Sequence, residues 1–233
     1  MDSTENLTIT DDEFIISSNA YKSTYGKPNL IIPLSYVRAA LALLIEGAIR
    51  LKAKKIVNVL TDEDPISYLL DVEMKAARRI GTSDIIRWVV QPNIQRDPED
   101  PLLRCEPDFM FLWSKREIDP DLCIYAEAKR LFGTGPSLAG KYVEEGLLDF
   151  VEGRYGRNHN YGIMVGYVLR GPIEKAVAAI KSAMNSRKKK TLEHLSFLPD
   201  SSLCSHPYTH HSSHLQQGST RPMILVHIFL DFS

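Results

Sequence analysis

The 233-residue sequence predicts an α/β protein with a central mixed sheet flanked by helices, and three observations carry that prediction. Segments with apolar residues at helical spacing alternate with short runs rich in β-branched and aromatic residues. One run, YGIMVGYVL, is apolar without a break, as in a strand covered on both faces. The apolar fraction, 44% at this length, suffices for one sizeable core.

The elements follow in order. Pro33 and the apolar residues at helical spacing through Ile49 predict a first helix over 33–53. The residue before a proline avoids the helical region, so Asp64 is expected to cap a second helix with Pro65 in its first turn. Ile66, Leu69, Leu70, Ala77 and Ile80 share a face of that helix, Glu73 sits in the middle of the face, and Gly81 ends the helix. SDIIRWVVQP, PDFMFLW and LCIYAEAKRL read as three strands separated by loops rich in Asp, Pro, Arg and Ser. GKYVEEGLLDFVEGRYG returns to helical spacing, YGIMVGYVL is a strand, and PIEKAVAAIKSAM is a helix with Pro172 near its first turn. Beyond about 185 a basic run, Arg187 to Lys190, precedes a Ser- and His-rich stretch over 201–220 that reads as a loop. MILVHIFLDF then closes the chain as a strand. The organisation expected is one domain over 1–233, with a core of about 61–185 and with the helix 33–53 and the extension 186–233 packed on it.

Several classes of function recede on the totals. Twenty-eight basic against twenty-nine acidic residues leave no global field to draw in nucleic acid, so any basic surface must be local. Cys105, Cys123 and Cys204 are an odd number at irregular spacing, which argues for a reducing compartment. The polar, acidic start MDSTENLTITDDEF is no signal peptide, and Pro33, Arg38 and Glu46 interrupt the most apolar stretch. A soluble cytoplasmic protein with no membrane partner is the expectation. Gly162, Gly166 and Gly171 lack the strand-to-helix arrangement of a dinucleotide fingerprint. Cys204, His206, His210, His211 and His214 fit no structural-zinc spacing, and a phosphate-contacting loop is expected there instead.

The chemistry concentrates in CEPDFMFLWSKREIDPDLCIYAEAKRL, residues 105–131. Strand side chains alternate, so Cys123, Tyr125, Glu127 and Lys129 face one way and Ile124, Ala126 and Ala128 the other. A hairpin joining PDFMFLW to this strand brings Asp108 beside Glu127. Two carboxylates about 4 Å apart repel by roughly 4 kcal/mol at an effective dielectric near 20, so the pair calls for a shared proton or a cation. Carboxylate oxygens, the Ala128 carbonyl and waters suit a hard ion such as Mg2+. Lys129 is left as a point charge for an anionic oxygen or an attacking water.

Pro107-Asp108, followed nineteen positions after the aspartate by Glu127-Ala128-Lys129, resembles the signature of the PD-(D/E)XK, or restriction-endonuclease-like, phosphodiesterase superfamily. The resemblance spans roughly 61–185 and extends to the helix and strand that follow the lysine. It implies a restriction-endonuclease-like core and hydrolysis of DNA phosphodiesters with Mg2+ (or Mn2+) held by Asp108 and Glu127. By the same resemblance Lys129 orients or deprotonates the nucleophile, and a helix-borne glutamate joins the site. Glu63 is the best match for that glutamate, with Glu73 as its rival. Lys115, Arg116, Arg130, Lys141, Arg154 and Arg157 surround the site in sequence and could form a local basic groove. The partners implied are DNA or RNA, with a partner protein or a second copy of the chain, in a restriction or anti-phage setting. An idle nuclease fold serving as a binding module is the alternative from another class.

Overall fold

In the computed structural model the residues described are 31–233, apart from 82–85, 93, 98–99, 114–122, 135–137 and 192. Helix α1 (Leu34–Lys54) starts behind Pro33 and stops where Lys55 takes a left-handed conformation, φ 55°. Helix α2 (Glu63–Gly81) begins before the Asp64-Pro65 pair, so Asp64 lies inside the first turn and is not the cap. Pro65 is tolerated there because the N–H groups of a first turn have no intrahelical partner to lose.

Strands β1 (Ile86–Val90), β4 (Phe109–Trp113) and β5 (Cys123–Phe132) form an antiparallel meander. Between β1 and β4 a separate two-stranded hairpin, β2 (Ile94–Asp97) with β3 (Asp100–Cys105), occupies sequence that reads as loop. After β5 come α3 (Ala139–Tyr142), a π-helical turn (Val143–Leu147) and α4 (Leu148–Val151), continuous in sequence. Strand β6 (Tyr161–Arg170) and helix α5 (Ile173–Asn185) follow as expected. A short helix α6 (Lys188–Thr191) then leads to β7 (Glu193–Pro199), β8 (Thr209–Leu215) and β9 (Pro222–Asp231).

Seven strands make one mixed sheet in the order β1-β4-β5-β6-β9-β8-β7. β5, β6 and β9 run parallel at its centre, and antiparallel strands extend it on both sides. Past α6 the chain adds three strands to the same sheet, with β9 between β6 and β8. The Ser/His stretch is likewise a strand over much of its length, β8, and not a loop. Its composition misleads because its polar side chains find buried partners on other elements.

Helices cover both faces. On one, α1 and α2 pack Leu41, Leu44, Ile66 and Leu70 onto Ala126, Ile163, Val165 and Val226. On the other, Tyr142, Leu147, Phe150 and Ile180 pack onto Met164, Val168, Leu225 and Phe229. No helix among the described residues is long and apolar enough to cross a membrane.

Candidate active site

The ladder between β4 and β5 opens at Phe109 opposite Ala126, and one further step of that register sets Asp108 opposite Glu127. β5 runs on past the start of β4. Alternate N–H groups of a strand point to the same side, so beyond this step Ala128 and Arg130 lack a neighbouring strand, and a buried N–H without a partner is costly. Two carboxylates take its place. Asp108 Oδ2 accepts the Ala128 N–H at 2.7 Å, and Glu63 Oε2 accepts the Arg130 N–H at 2.9 Å. Glu63 is the first residue of α2, so this bond seats the helix N-terminus on the strand.

Lys129 lies between the acids. Its Nζ donates to Glu127 Oε1 at 2.6 Å, Glu63 Oε1 at 2.8 Å and the Ala128 carbonyl at 2.9 Å. An ammonium has three protons, and all three are donated within the protein. Lys129 is thus locked rather than free to reach a ligand. Asp108 also accepts the Ser67 hydroxyl at Oδ1, 3.0 Å away, and Ser67 Oγ in turn lies 3.0 Å from the Tyr167 hydroxyl. Glu127 Oε2 is the exception: it is buried and has no hydrogen-bond partner.

Asp108, Glu127 and Lys129 are 5%, 5% and 9% exposed, so the charges interact with little screening by water. Burial pushes the Asp108 carboxyl up to about 6, against the Ala128 N–H and the Lys129 charge, which favour its ionised form. Burial and the neighbouring Asp108 push Glu127 up to about 8, although Lys129 opposes them. Burial alone would lower Lys129, but Glu127 and Glu63 reverse that and raise it. Three carboxylates surround one ammonium, and the deficit of positive charge falls on Glu127.

Glu73 is placed elsewhere. Its carboxylate is buried and pairs with Lys54, and Arg50 Nε lies 3.6 Å from its other oxygen, both cations belonging to α1. Of the two candidate glutamates, Glu63 is the one that meets Lys129. A cleft of about 350 Å³ opens beside it, lined by Asp62, Glu63, Asp64, Lys129, Arg130, Leu138, Lys141 and Glu145. Arg130 and Lys141, expected near the site, are at its wall, whereas Arg154 is turned to Asp149 and Glu152. Lys115 and Arg116 lie outside the described residues. Gly146, in the π-helical turn, lets the helix backbone rest on β5: a Cβ there would stand 2.8 Å from Met164 Cε and 3.5 Å from the Cγ atoms of Glu127 and Lys129. Such π-helical turns are frequent at functional sites.

Ser67, which holds Asp108, and Tyr167, which meets Ser67, were not legible as site residues. Ser67 follows Glu63 by one helical turn on a buried stripe, and a polar residue there is the one signal the sequence offers.

The histidines form a second polar cluster. The Thr191 carbonyl can only accept, so His214 Nδ1 carries a proton and its Nε2 accepts from Ser212 Oγ at 2.6 Å. Ser212 Oγ must then accept from His227 Nε2 at 2.7 Å, and His227 Nδ1 accepts the Tyr142 hydroxyl at 2.8 Å. Burial holds both imidazoles neutral, His214 pulled down to about 4 and His227 well below the ordinary range. Among the described residues no group of three or more His, Cys, Asp or Glu side chains is placed to hold a metal ion. No protein-family model matches the chain, and no curated protein or solved structure does either.

Proposed function

We propose that the chain is a divalent-metal-dependent nuclease of the PD-(D/E)XK type that hydrolyses phosphodiester bonds in DNA. The observation that carries this reading is Glu127 Oε2, a buried carboxylate oxygen without a partner, beside Asp108 and behind Lys129, which lines the cleft that Glu127 and Asp108 themselves do not line. Orphaned buried oxygens are rare and call for an explanation, and a hard cation is the one that the surrounding charge favours. Mg2+ keeps several waters and is often held by one or two carboxylates, so a set of Asp108 and Glu127 fits it without a third acid. When bound, such an ion lowers the pKa of its water and neutralises charge on the phosphate.

The chain's own residues have separate tasks. Asp108 is held by Ser67 and the Ala128 N–H, which fix its rotamer and favour its ionised form. Glu63 ties Lys129 and the Arg130 backbone to the N-terminus of α2, so the lysine enters the cleft at a fixed position. Lys129 supplies the positive charge nearest the two acids, and to orient or deprotonate the nucleophile it must first give up one of its three internal hydrogen bonds. No covalent intermediate is needed. A restriction or anti-phage setting, a partner protein or second copy, and RNA as an alternative polymer rest on the superfamily resemblance alone.

The test is incubation of plasmid, linear duplex, single-stranded DNA and RNA with Mg2+ or Mn2+, comparing the wild type with Glu127→Ala and Lys129→Ala. Cleavage by the wild type and its loss in both folded variants is the expected result; equal cleavage by all three proteins rejects the assignment. One observation favours a second reading, an idle nuclease fold that only binds nucleic acid or a protein: every proton of Lys129 is already donated inside the protein. Retention of DNA in a gel shift with no cleavage under any of those conditions selects it.

A further inference from the structure

From Lys175 to Thr191 the chain carries six cations and no acid, and Arg187, Lys188, Lys189 and Lys190 stand together at the end of that stretch. Basic residues after a helix commonly serve its C-terminus, where carbonyls lack partners. Arg187 fills that role: its Nη1 donates to the Ala183 carbonyl of α5 at 3.2 Å, and its Nε donates to Glu144 Oε1 at 2.8 Å. Lys188, Lys189 and Lys190 are left over. All three are exposed, and none forms an ion pair or a side-chain hydrogen bond with a described residue. Glu144 also feels Lys190, but Arg187 is the group that holds its carboxylate.

The backbone under these lysines is fastened at both ends. The Thr191 N–H donates to the Arg187 carbonyl at 3.0 Å, and the Thr191 carbonyl accepts from His214 Nδ1 at 2.8 Å. The segment also abuts the wall of the cleft. Arg187 meets Glu144 of the π-helical turn, and the next residue, Glu145, lines the cleft with Lys141. A Cβ on Gly140, the residue before Lys141, would stand 3.6 Å from Arg187 Nη2. The four residues of α6 rise about 6 Å, and a duplex advances about 3.4 Å per base step on each strand. The lysines therefore stand a few base steps from the cleft wall. Composition points to the occupant. Successive helical residues turn by about 100°, so the three ammonium groups fan out along a line of charges rather than converge on one small anion. A segment that lies on a membrane would add exposed apolar side chains, and from Lys175 to Thr191 no large one is exposed.

We propose that Lys188, Lys189 and Lys190 grip the phosphate backbone of duplex DNA beside the cleft. The proposal rests on the nuclease reading for its partner, and binding is measured apart from cleavage so that the two can fail separately. Four full-length proteins are compared: the wild type, a triple Lys→Gln variant at 188, 189 and 190, the triple Lys→Arg variant at the same positions, and a charge-matched control with Lys54→Gln, Lys55→Gln and Lys75→Gln. Circular dichroism checks that each folds, as exposed positions allow. Fluorescence anisotropy of a labelled short duplex in EDTA gives the affinity from about 50 to 200 mM salt. Each phosphate contact contributes about 0.9 to the slope of log affinity against log salt, so the Lys→Gln triple should lower the wild-type slope by about 2 and weaken binding at least ~10-fold at low salt. The Lys→Arg triple and the control should keep the wild-type slope. No binding by the wild type, equal slopes in the wild type and the Lys→Gln triple, or an equal drop in the control overturns the grip, and cleavage in Mg2+ that persists in that case leaves the nuclease. Binding that depends on the three lysines, with no cleavage in Mg2+ or Mn2+, sustains the grip and removes the nuclease. Binding of phosphatidylcholine–phosphatidylserine vesicles that is lost in the Lys→Gln triple, with no DNA bound, overturns the grip in favour of a membrane surface.

Discussion

Glu127, Met164, His227 and His210 stand in one row across β5, β6, β9 and β8, so two buried polar clusters on the same face of the sheet are separated by a single methionine. They are built on opposite rules. From Tyr142 through His227, Ser212 and His214 to the Thr191 carbonyl, every donor meets an acceptor, the two imidazoles are neutral, and no charge is buried. Around Glu127, two carboxylates share one lysine, a third, Asp108, takes a backbone N–H instead, and an oxygen is left over. The contrast lies in the charge: the Tyr142-to-Thr191 chain is neutral and its donors and acceptors match, whereas His210 Nδ1 at the end of the same row and Glu127 Oε2 are both buried without a partner. Of these orphaned atoms Glu127 Oε2 is the one that belongs to a crowd of carboxylates, which is why a cation is the ligand it suggests.

The largest effect should come from removing the charge at the crowded cluster. Glu127→Gln keeps the shape and is expected to lower cleavage at least ~10²-fold, the scale seen when one group that stabilises a transition state is lost. Initial-rate assays in Mg2+ measure it, and a change under threefold would mean that the crowding has no catalytic use. Breaking the satisfied cluster should move stability instead. Ser212→Ala strands the His227 Nε2 proton and the His214 Nε2 lone pair, at about 1–3 kcal/mol for each buried unpaired group. Urea unfolding should show the loss, while the cleavage rate per folded molecule stays the same.

The two clusters should also respond oppositely to pH. His214 falls from 6.5 to about 4 on folding, so between those values the unfolded chain binds the extra proton. Its contribution, about 3 kcal/mol at most, is present above 6.5 and lost as pH falls towards 4. Glu127 rises from 4.5 to about 8, so here the folded protein holds the extra proton and stability declines as pH rises through that window. Unfolding free energies at several pH values in the absence of divalent ions should therefore show an alkaline-side slope that Glu127→Gln reduces and an acid-side slope that it leaves alone. The smallest effect is expected at Glu73. Its partners Lys54 and Arg50 are substantially exposed, so Glu73→Gln should cost about 1 kcal/mol or less. Its cleavage rate should match the wild type, and a large drop would reopen the choice between Glu63 and Glu73.

Much of the site was legible because strand alternation is a local rule. It set Glu127 and Lys129 on one face, and the short hairpin set Asp108 at their side, as the β4–β5 register bears out. Partners from distant parts of the chain were not legible. Glu73 lies on an apolar stripe whichever cation meets it, and only the packing of α1 on α2 reveals Lys54. Likewise β8 reads as a loop until the Thr191 carbonyl and His227 of β9 are seen to complete the hydrogen bonds of its His214 and Ser212. The mixed sheet and its flanking helices followed from periodicity, whereas the place of β9 between β6 and β8 did not, because apolar runs do not state their neighbours.

Thermal unfolding of the wild type and Glu127→Gln with and without Mg2+ or Mn2+ tests the central claim most directly. A ligand at a hundred times its Kd adds about 2.7 kcal/mol to the folded state, a rise of roughly 5–10 °C for a chain of this size. The wild type should show that rise and Glu127→Gln should not. No rise in the wild type, or an equal rise in both proteins, would mean that the unpaired oxygen of Glu127 is not there for a cation.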